Sequence, residues 1–588
     1  MTDRLDNMPR FFLSALLALV LLLAPQTLRA DPSKDTDKVI YPAAEIVTLS
    51  NHRGDAVLVQ NGRIAAIGAL DTLRETHPKA RVDDRYGGQV MVPGLIEHHV
   101  HPFLAALSMS AHVLAIEDWD LPHGRFPGVR SEAGYRDKLA AALADTSSGK
   151  ASDTAFVSWG YHHYFHGKLT RQDLDWLAPD RPVLIVHRSF HELIFNTAAL
   201  ELAGITQADI DAAPESARKH MSLADGHFAE QGTLAVSDKA MVLMAPPQKL
   251  ILGLARTRTY LHAKGVTLIA NPGAMLSPAL QQAKNAVFGA PDAPFRSLFI
   301  PNGMMLAAQA QGQLDTLDHL VARTKELETA GAGRLSYVPG QIKLFADGAM
   351  YSQAMQMRDG YLDGHKGAWM MEPEVFRAAF RTYWEAGYQI HVHQNGDAGL
   401  DLVLDTLAEN MARMPRPDHR TVLVHFGYAA ADQVARLQQL GALVSANPYY
   451  VTALSHLYAE KGVGAARAPD MVRLGDVVRA GVKLGLHSDM PMAPGDPLFL
   501  MHQAVNRVNF AGDIASPEQR LKPEQALRAV TLDAAYMMQL ENDYGSLAPG
   551  KLANITVLAQ NPLTAPPATI KDIPVIATMV EGVNFAVE

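Results

Sequence analysis

The chain is 588 residues long, 48% hydrophobic and 19% charged. That is too apolar for a disordered protein and too long for one small domain. With 52 Lys and Arg against 61 Asp and Glu the net charge is −9, so no basic surplus points to nucleic acid or anionic lipid, and a small molecule is the expected partner.

In chain order, Arg4 and Arg10 precede an apolar run from Phe11 to Ala24, followed by Pro25 and LRADP. This reads as a secretory signal peptide over residues 1–30, cleaved near Ala30, with export to a periplasm expected. The run is shorter than the ~20 residues of a membrane-spanning helix, so no stable span is expected after cleavage; an uncleaved N-terminal anchor is the alternative. Residues 31–93 read as short strands, with a hairpin turn at Asn61-Gly62. Residues 536–588 read the same way, so one small β-domain built from both ends of the chain is expected. Between them, over 94–535, strand-like runs (RPVLIVHR, GVTLIANPG, GQIKLFADG, YQIHVHQNG, RTVLVHFG, ALVSANP, VKLGLHSD) alternate with helical patterns. Such alternation implies a parallel sheet, and about eight repeats imply an α/β fold closed as a (β/α)8 TIM-type barrel. The region around 105–250 is less regular and reads as insertions. Gly545–Lys551 matches G-x-x-x-x-G-K, but Leu552 stands where Ser or Thr would bind Mg²⁺, and the segment reads as a turn of the β-domain.

The chain has 24 His and no Cys, so any metal must be held by His, carboxylate or modified Lys. These residue types gather at the ends of the strand-like runs, where β/α barrels build active sites. In Glu97-His98-His99-Val100-His101, strand alternation puts His99 and His101 on one face with Glu97, ~6.6–7 Å apart and both within reach of one metal. Lys343 lies in an apolar run, where an unpaired charge costs several kcal/mol. It is expected either to pair with a carboxylate such as Asp347 or to be carbamylated into an anionic ligand. His391 and His393, His425 and Asp489 each close a further short run. Taken singly, each also suits a hydrogen-bonded core position; five strand ends in one chain point to a metal site.

VPGLIEHHVH resembles the first-strand signature of the amidohydrolase superfamily of metal-dependent hydrolases, and the ordered set HxH, Lys, His, His, Asp is similar to its binuclear pattern. LTRQDLDWLAPDRPVLIVHRSFHELIFNTAALELAGI, KLFADGAM, HVHQNGDAGLDLVLD, LHSDMPMAPGDPL and YGSLAPGKLANITVLAQNPL resemble the YtcJ-like, amidohydrolase-3 branch, over essentially all of 38–588. The resemblance implies a barrel with a small composite β-sandwich domain. It further implies one or two divalent ions, Zn²⁺ or else Mn²⁺ or Fe²⁺. His99, His101 and Asp489 would hold one, His393 and His425 a second, and carboxylated Lys343 would bridge them. A one-metal site of His99, His101, one later His and Asp489 is the alternative. Asp489 would act as general base and then acid in hydrolysis of a non-peptide C–N bond: an amide, a cyclic amide or an N-acyl amine. An esterase or lactonase using the same site, or an inactive binding protein, are the competing expectations. His391, His191 and Arg188 are candidates for contacting substrate. The chain departs from the family at Glu97 (usually Asp), in HQNGDAG (no Arg after GD), in HRSFHELIF (usually a DGH-type segment) and at Asn554 (an Asp beside GKLA).

Overall fold

The computed structural model describes residues 38–145, 155–275, 277–310, 317 and 319–587. The leader with its cleavage position at Ala30 lies outside them. Among the described residues, no helix is long and apolar enough to cross a membrane. The chain divides into two compact units, one of 38–101 with 261–587 and one of 102–260.

The first unit opens with the hairpin Ala56–Gln60 and Arg63–Gly68. Its turn holds Asn61 at φ 53° and Gly62 at φ 73°, the left-handed pair that suits the strand twist. Val39–Pro42 and Arg81–Val82 complete that sheet. A second sheet orders Glu45–Ile46, Val90–Pro93, Ile555–Leu558, Val575–Val580 and Val583–Ala586, so both ends of the chain share it. Val39, Tyr41, Val57 and Val59 of the one sheet meet Met91, Ile555, Val557 and Met579 of the other in a common buried core. The G-x-x-x-x-G-K segment is a turn beside this sandwich: Lys551 Nζ donates to the Glu541 and Tyr544 carbonyls, at 2.6 and 3.0 Å.

The chain leaves the sandwich at Gly94 and enters the barrel at once. A Cβ there would stand 2.3 Å from Thr267 Oγ1, so only glycine permits the close approach of Val266–Ala274. The barrel strands are β1 (Leu95–Glu97), β2 (Val266–Ala274), β3 (Arg296–Pro301), β4 (Gln341–Phe345), β5 (Gln389–Gln394), β6 (Val422–His425), β7 (Leu443–Ala446) and β8 (Leu484–Leu486). β1 to β3 form one parallel ladder and β4 to β8 another. Single parallel bridges, Asn302 to Lys343 and Val100 to Met490, join β3 to β4 and β8 to β1 and close the ring. Helices such as Pro373–Glu385, which buries Phe376, Phe380, Tyr383 and Trp384 along one face, return the chain between strands.

Two assignments change. RPVLIVHR does form a strand, Val183–His187, but it belongs to the sheet of the 102–260 unit. The barrel's third strand is instead Arg296–Pro301, whose short buried run carries no alternation to mark it. The second unit holds a six-stranded sheet ordered Met221–Ser222, His227–Ala229, Glu192–Phe195, Val183–His187, Phe156–Tyr161 and His112–Val113.

Candidate metal centre

The segment after β1 is laid against the segment after β8 by two backbone bonds. The Asp489 amide donates to the His99 carbonyl at 3.1 Å, and the His101 amide to the Met490 carbonyl at 2.9 Å. Asp489 Oδ1 then stands 3.3 Å from His99 Nε2 and 3.1 Å from His101 Nε2, and those two nitrogens are 3.3 Å apart. The other carboxylate oxygen is 3.7 Å from His425 Nδ1. One ligand atom from each of His99, His425 and Asp489 lies within 4.8 Å of the others. His393 joins through His425, their ring centroids 4.4 Å apart, with its Nε2 3.0 Å from Asn395 Nδ2. His425 and Asp489 adopt φ of 81° and 59°, left-handed backbone that non-glycine residues rarely take and that recurs at functional sites.

Lys343 is buried in β4 beside these groups, and its Nζ has no hydrogen-bond partner. Asp347 does not pair with it. That carboxylate instead accepts from the amides of Gln356, Asn395 and Gly396, at 2.9, 2.9 and 2.7 Å. Burial pushes the Lys343 ammonium down to about 7, with Asp489 pulling the other way. Burial first, then Lys343 or a neighbouring ring, holds the His99, His425 and His487 imidazoles well below their usual range, so they stay neutral. Neutral imidazole nitrogens around one carboxylate, with a buried amine that has no partner, are a donor set that fits a divalent N/O-ligated ion.

The family model described as "Amidohydrolase family" matches residues 87–584. The chain belongs to this family. A second model, "Imidazolonepropionase-like composite domain, bacteria", matches residues 56–80 in the β-sandwich. Among relatives, an N-substituted formamide deformylase of Arthrobacter pascens is 26% identical, covering 93% of this chain and 97% of its own. The putative amidohydrolase YtcJ of Bacillus subtilis is 23% identical over 93% of this chain and 98% of its own, in keeping with the amidohydrolase-3 branch. An uncharacterized metal-dependent hydrolase from Pyrococcus horikoshii shares the fold, with a TM-score of 0.68 at 20% identity, covering 90% of this chain and 99% of that one. This amidohydrolase is a metal-dependent hydrolase acting on carbon–nitrogen bonds of small molecules.

Within the amidohydrolase barrel, His391 pairs across the ladder with Lys343, and its Nε2 meets Gln341 Oε1 at 3.1 Å. Arg188 and His191 lie in the 102–260 unit. Arg188 is wholly buried and donates to both oxygens of Glu117, at 2.8 and 3.2 Å. His191 Nδ1 stands 2.8 Å from Glu230 Oε2.

A row of contacts beside His425 joins residues that no sequence motif links. His425 Nδ1 faces His487 Nε2 at 3.2 Å, His487 Nδ1 meets Ser445 Oγ at 2.7 Å, and that hydroxyl meets His98 Nε2 at 2.7 Å. His487 stands two residues before Asp489, so strand alternation was the available signal. Glu97, on the same side, accepts from the Ser488 amide at 3.0 Å; burial pushes its carboxyl up to about 8 against that bond.

Proposed function

We propose that the barrel holds two ions of the Zn²⁺, Mn²⁺ or Fe²⁺ class and hydrolyses an amide, a cyclic amide or an N-acyl amine. His99, His101 and Asp489 would hold one ion, His393 and His425 the other, and a carboxylated Lys343 would bridge them. The carrying observation is Asp489 Oδ1 at 3.3 and 3.1 Å from two imidazole nitrogens, beside a buried lysine amine with no hydrogen-bond partner. Reaction of that amine with CO₂ forms an N–C bond and releases a proton. It exchanges a buried cation, which costs several kcal/mol when unpaired, for a two-oxygen ligand. Bound there, the ions supply an acidified water and an electrophile for the substrate carbonyl.

Asp489 accepts the proton of the attacking water as the new C–O bond forms. It returns that proton to the nitrogen as the C–N bond breaks, leaving a carboxylic acid and an amine. The relative named as an N-substituted formamide deformylase makes N-acyl amines the first class to assay. The basic start and apolar run of residues 1–30 support export to the periplasm.

A panel of amides and esters, assayed with and without chelator, tests the reading. Amide turnover is expected to vanish with chelator, and Asp489→Asn to lower it by roughly 10²–10⁴-fold. Near-normal turnover in that variant removes the proton role, and turnover of esters alone selects an esterase. Lys343→Ala with wild-type metal content would exclude the bridge.

A further inference from the structure

The 102–260 unit carries a second histidine cluster that the barrel chemistry does not use. His162 follows the strand Phe156–Tyr161 and caps the short helix His163–His166, which His163 opens. The neighbouring parallel strand, Val183–His187, ends at His187, in register with Tyr161. Glu192 opens the next strand, antiparallel to it. Three adjacent strand ends thus present imidazole, imidazole and carboxylate at one edge of the sheet. One ligand nitrogen from each of His162, His163 and His187 lies within 4.8 Å of the others.

Glu192 Oε1 stands 3.8 Å from His187 Nε2 and 4.0 Å from His163 Nδ1, while Oε2 is engaged 3.0 Å from His227 Nε2. Ligand atoms around a tetrahedral ion with ~2.0–2.1 Å bonds stand ~3.3 Å apart, so closure brings these atoms together by roughly 0.5–1.5 Å. His187 is 1% exposed, and its Nε2, turned toward Glu192, has no hydrogen-bond partner. Its other nitrogen lies 2.7 Å from Ser189 Oγ. Donation from Nδ1–H to that hydroxyl leaves the lone pair on Nε2, the outer-shell contact that orients metal-ligating histidines. His163 is partly exposed and gives the cluster an opening to solvent.

We propose that His162, His163, His187 and Glu192 form a second binding site for a divalent transition-metal ion of the Zn²⁺ class, separate from the barrel centre. His162 Nδ1 accepts from the Tyr164 amide at 3.2 Å, so ligation by this ring exchanges that contact for the ion. A set of imidazole nitrogens with one carboxylate suits ions of the Zn²⁺ class over Mg²⁺ and Ca²⁺, which take oxygen ligands. Such an ion would tie the three strand ends together. The site stands independently of the reaction in the barrel.

The test uses the full chain with the barrel centre disabled by His99→Ala and Asp489→Ala, stripped with chelator and reloaded with Co²⁺. One equivalent of Co²⁺ is expected to survive desalting, with the visible d–d bands of a four-coordinate N/O site. Adding His163→Gln and His187→Gln is expected to abolish both the equivalent and the bands. Glu192→Gln, which keeps the side chain's shape, is expected to weaken Co²⁺ binding at least ten-fold, and it carries the test should the histidine pair fail to fold. No retained Co²⁺ in the barrel-disabled protein, or retention unchanged by Glu192→Gln, overturns the proposal.

Discussion

At the scale of single residues, His425 is held by a ring that is not itself among the proposed ligands. A serine hydroxyl has one proton, so Ser445 can donate to only one of His98 and His487 and accepts from the other. That choice fixes the tautomers of the whole row back to His425. Burial holds His98 down to about 3 and keeps His487 and His425 well below the usual imidazole range, so the row is uncharged at neutral pH. Partners of this kind orient a ligating imidazole and set its basicity. His487→Gln is therefore expected to weaken metal retention by roughly 10–100-fold, read by competition with a chromophoric chelator. Retention equal to the wild type would show that the 3.2 Å contact is incidental.

Between elements, the motifs KLFADG and HQNGDAG are two halves of one joint. Asp347 follows β4, and its carboxylate gathers the amides of Asn395 and Gly396 where β5 runs into the helix Asp397–Arg413. Gly399 makes room for it, since a Cβ there would lie 2.5 Å from Asp347 Cγ. Gly399→Ala is expected to cost ~1–3 kcal/mol of stability, as other overpacked sites do. It should also lower metal content, because the joint aligns the ends of β4 and β5 that carry Lys343 and His393. An unchanged urea midpoint would refute this.

Lys284, on the helix Pro278–Phe288, gives a pH-dependent case. Its Nζ is buried without a hydrogen-bond partner, 4.8 Å from the Phe299 ring centroid, and burial pushes it from 10.5 to about 7. Between those values the unfolded chain binds a proton that the folded chain does not, so this residue's contribution falls as pH drops from about 10.5 to about 7 and is level below. At about 1.4 kcal/mol per pH unit the penalty reaches several kcal/mol at neutral pH. Lys284→Met is expected to raise the unfolding midpoint at pH 7, with the gap closing toward pH 10.5; a gap independent of pH would contradict the assignment.

For the whole molecule, the proposed metal ligands come from both sides of the insertion. His99 and His101 precede residues 102–260, while Lys343, His393, His425 and Asp489 follow them. An ion shared among them would link distant parts of the chain, and ligand at 1,000 times its dissociation constant stabilises a fold by ~4 kcal/mol. Chelation is expected to lower the melting temperature as well as stop turnover, with Zn²⁺ or Mn²⁺ restoring both in a calorimetric scan. A melting temperature indifferent to chelator would mean the barrel stands without its ions.

Much of this was legible from local pattern. Strand alternation alone put His99 and His101 on one face, and the order of polar residues at the ends of apolar runs named the residues that gather around Asp489. These follow from periodicity and residue type, which act over a few neighbours. Sheet membership did not follow. RPVLIVHR and RSLFIP are both short buried runs, and only long-range pairing puts one in the 102–260 unit and the other in the barrel. The partner of Lys343 was also undecidable, because Asp347 is four residues away yet is turned to the backbone amides at the start of a helix. The row from His98 through Ser445 to His487, and the meeting of His162 with His187, join residues on or just beyond the ends of different strands. Side-chain chemistry made those contacts possible, but strand register in the folded chain decided which of them form.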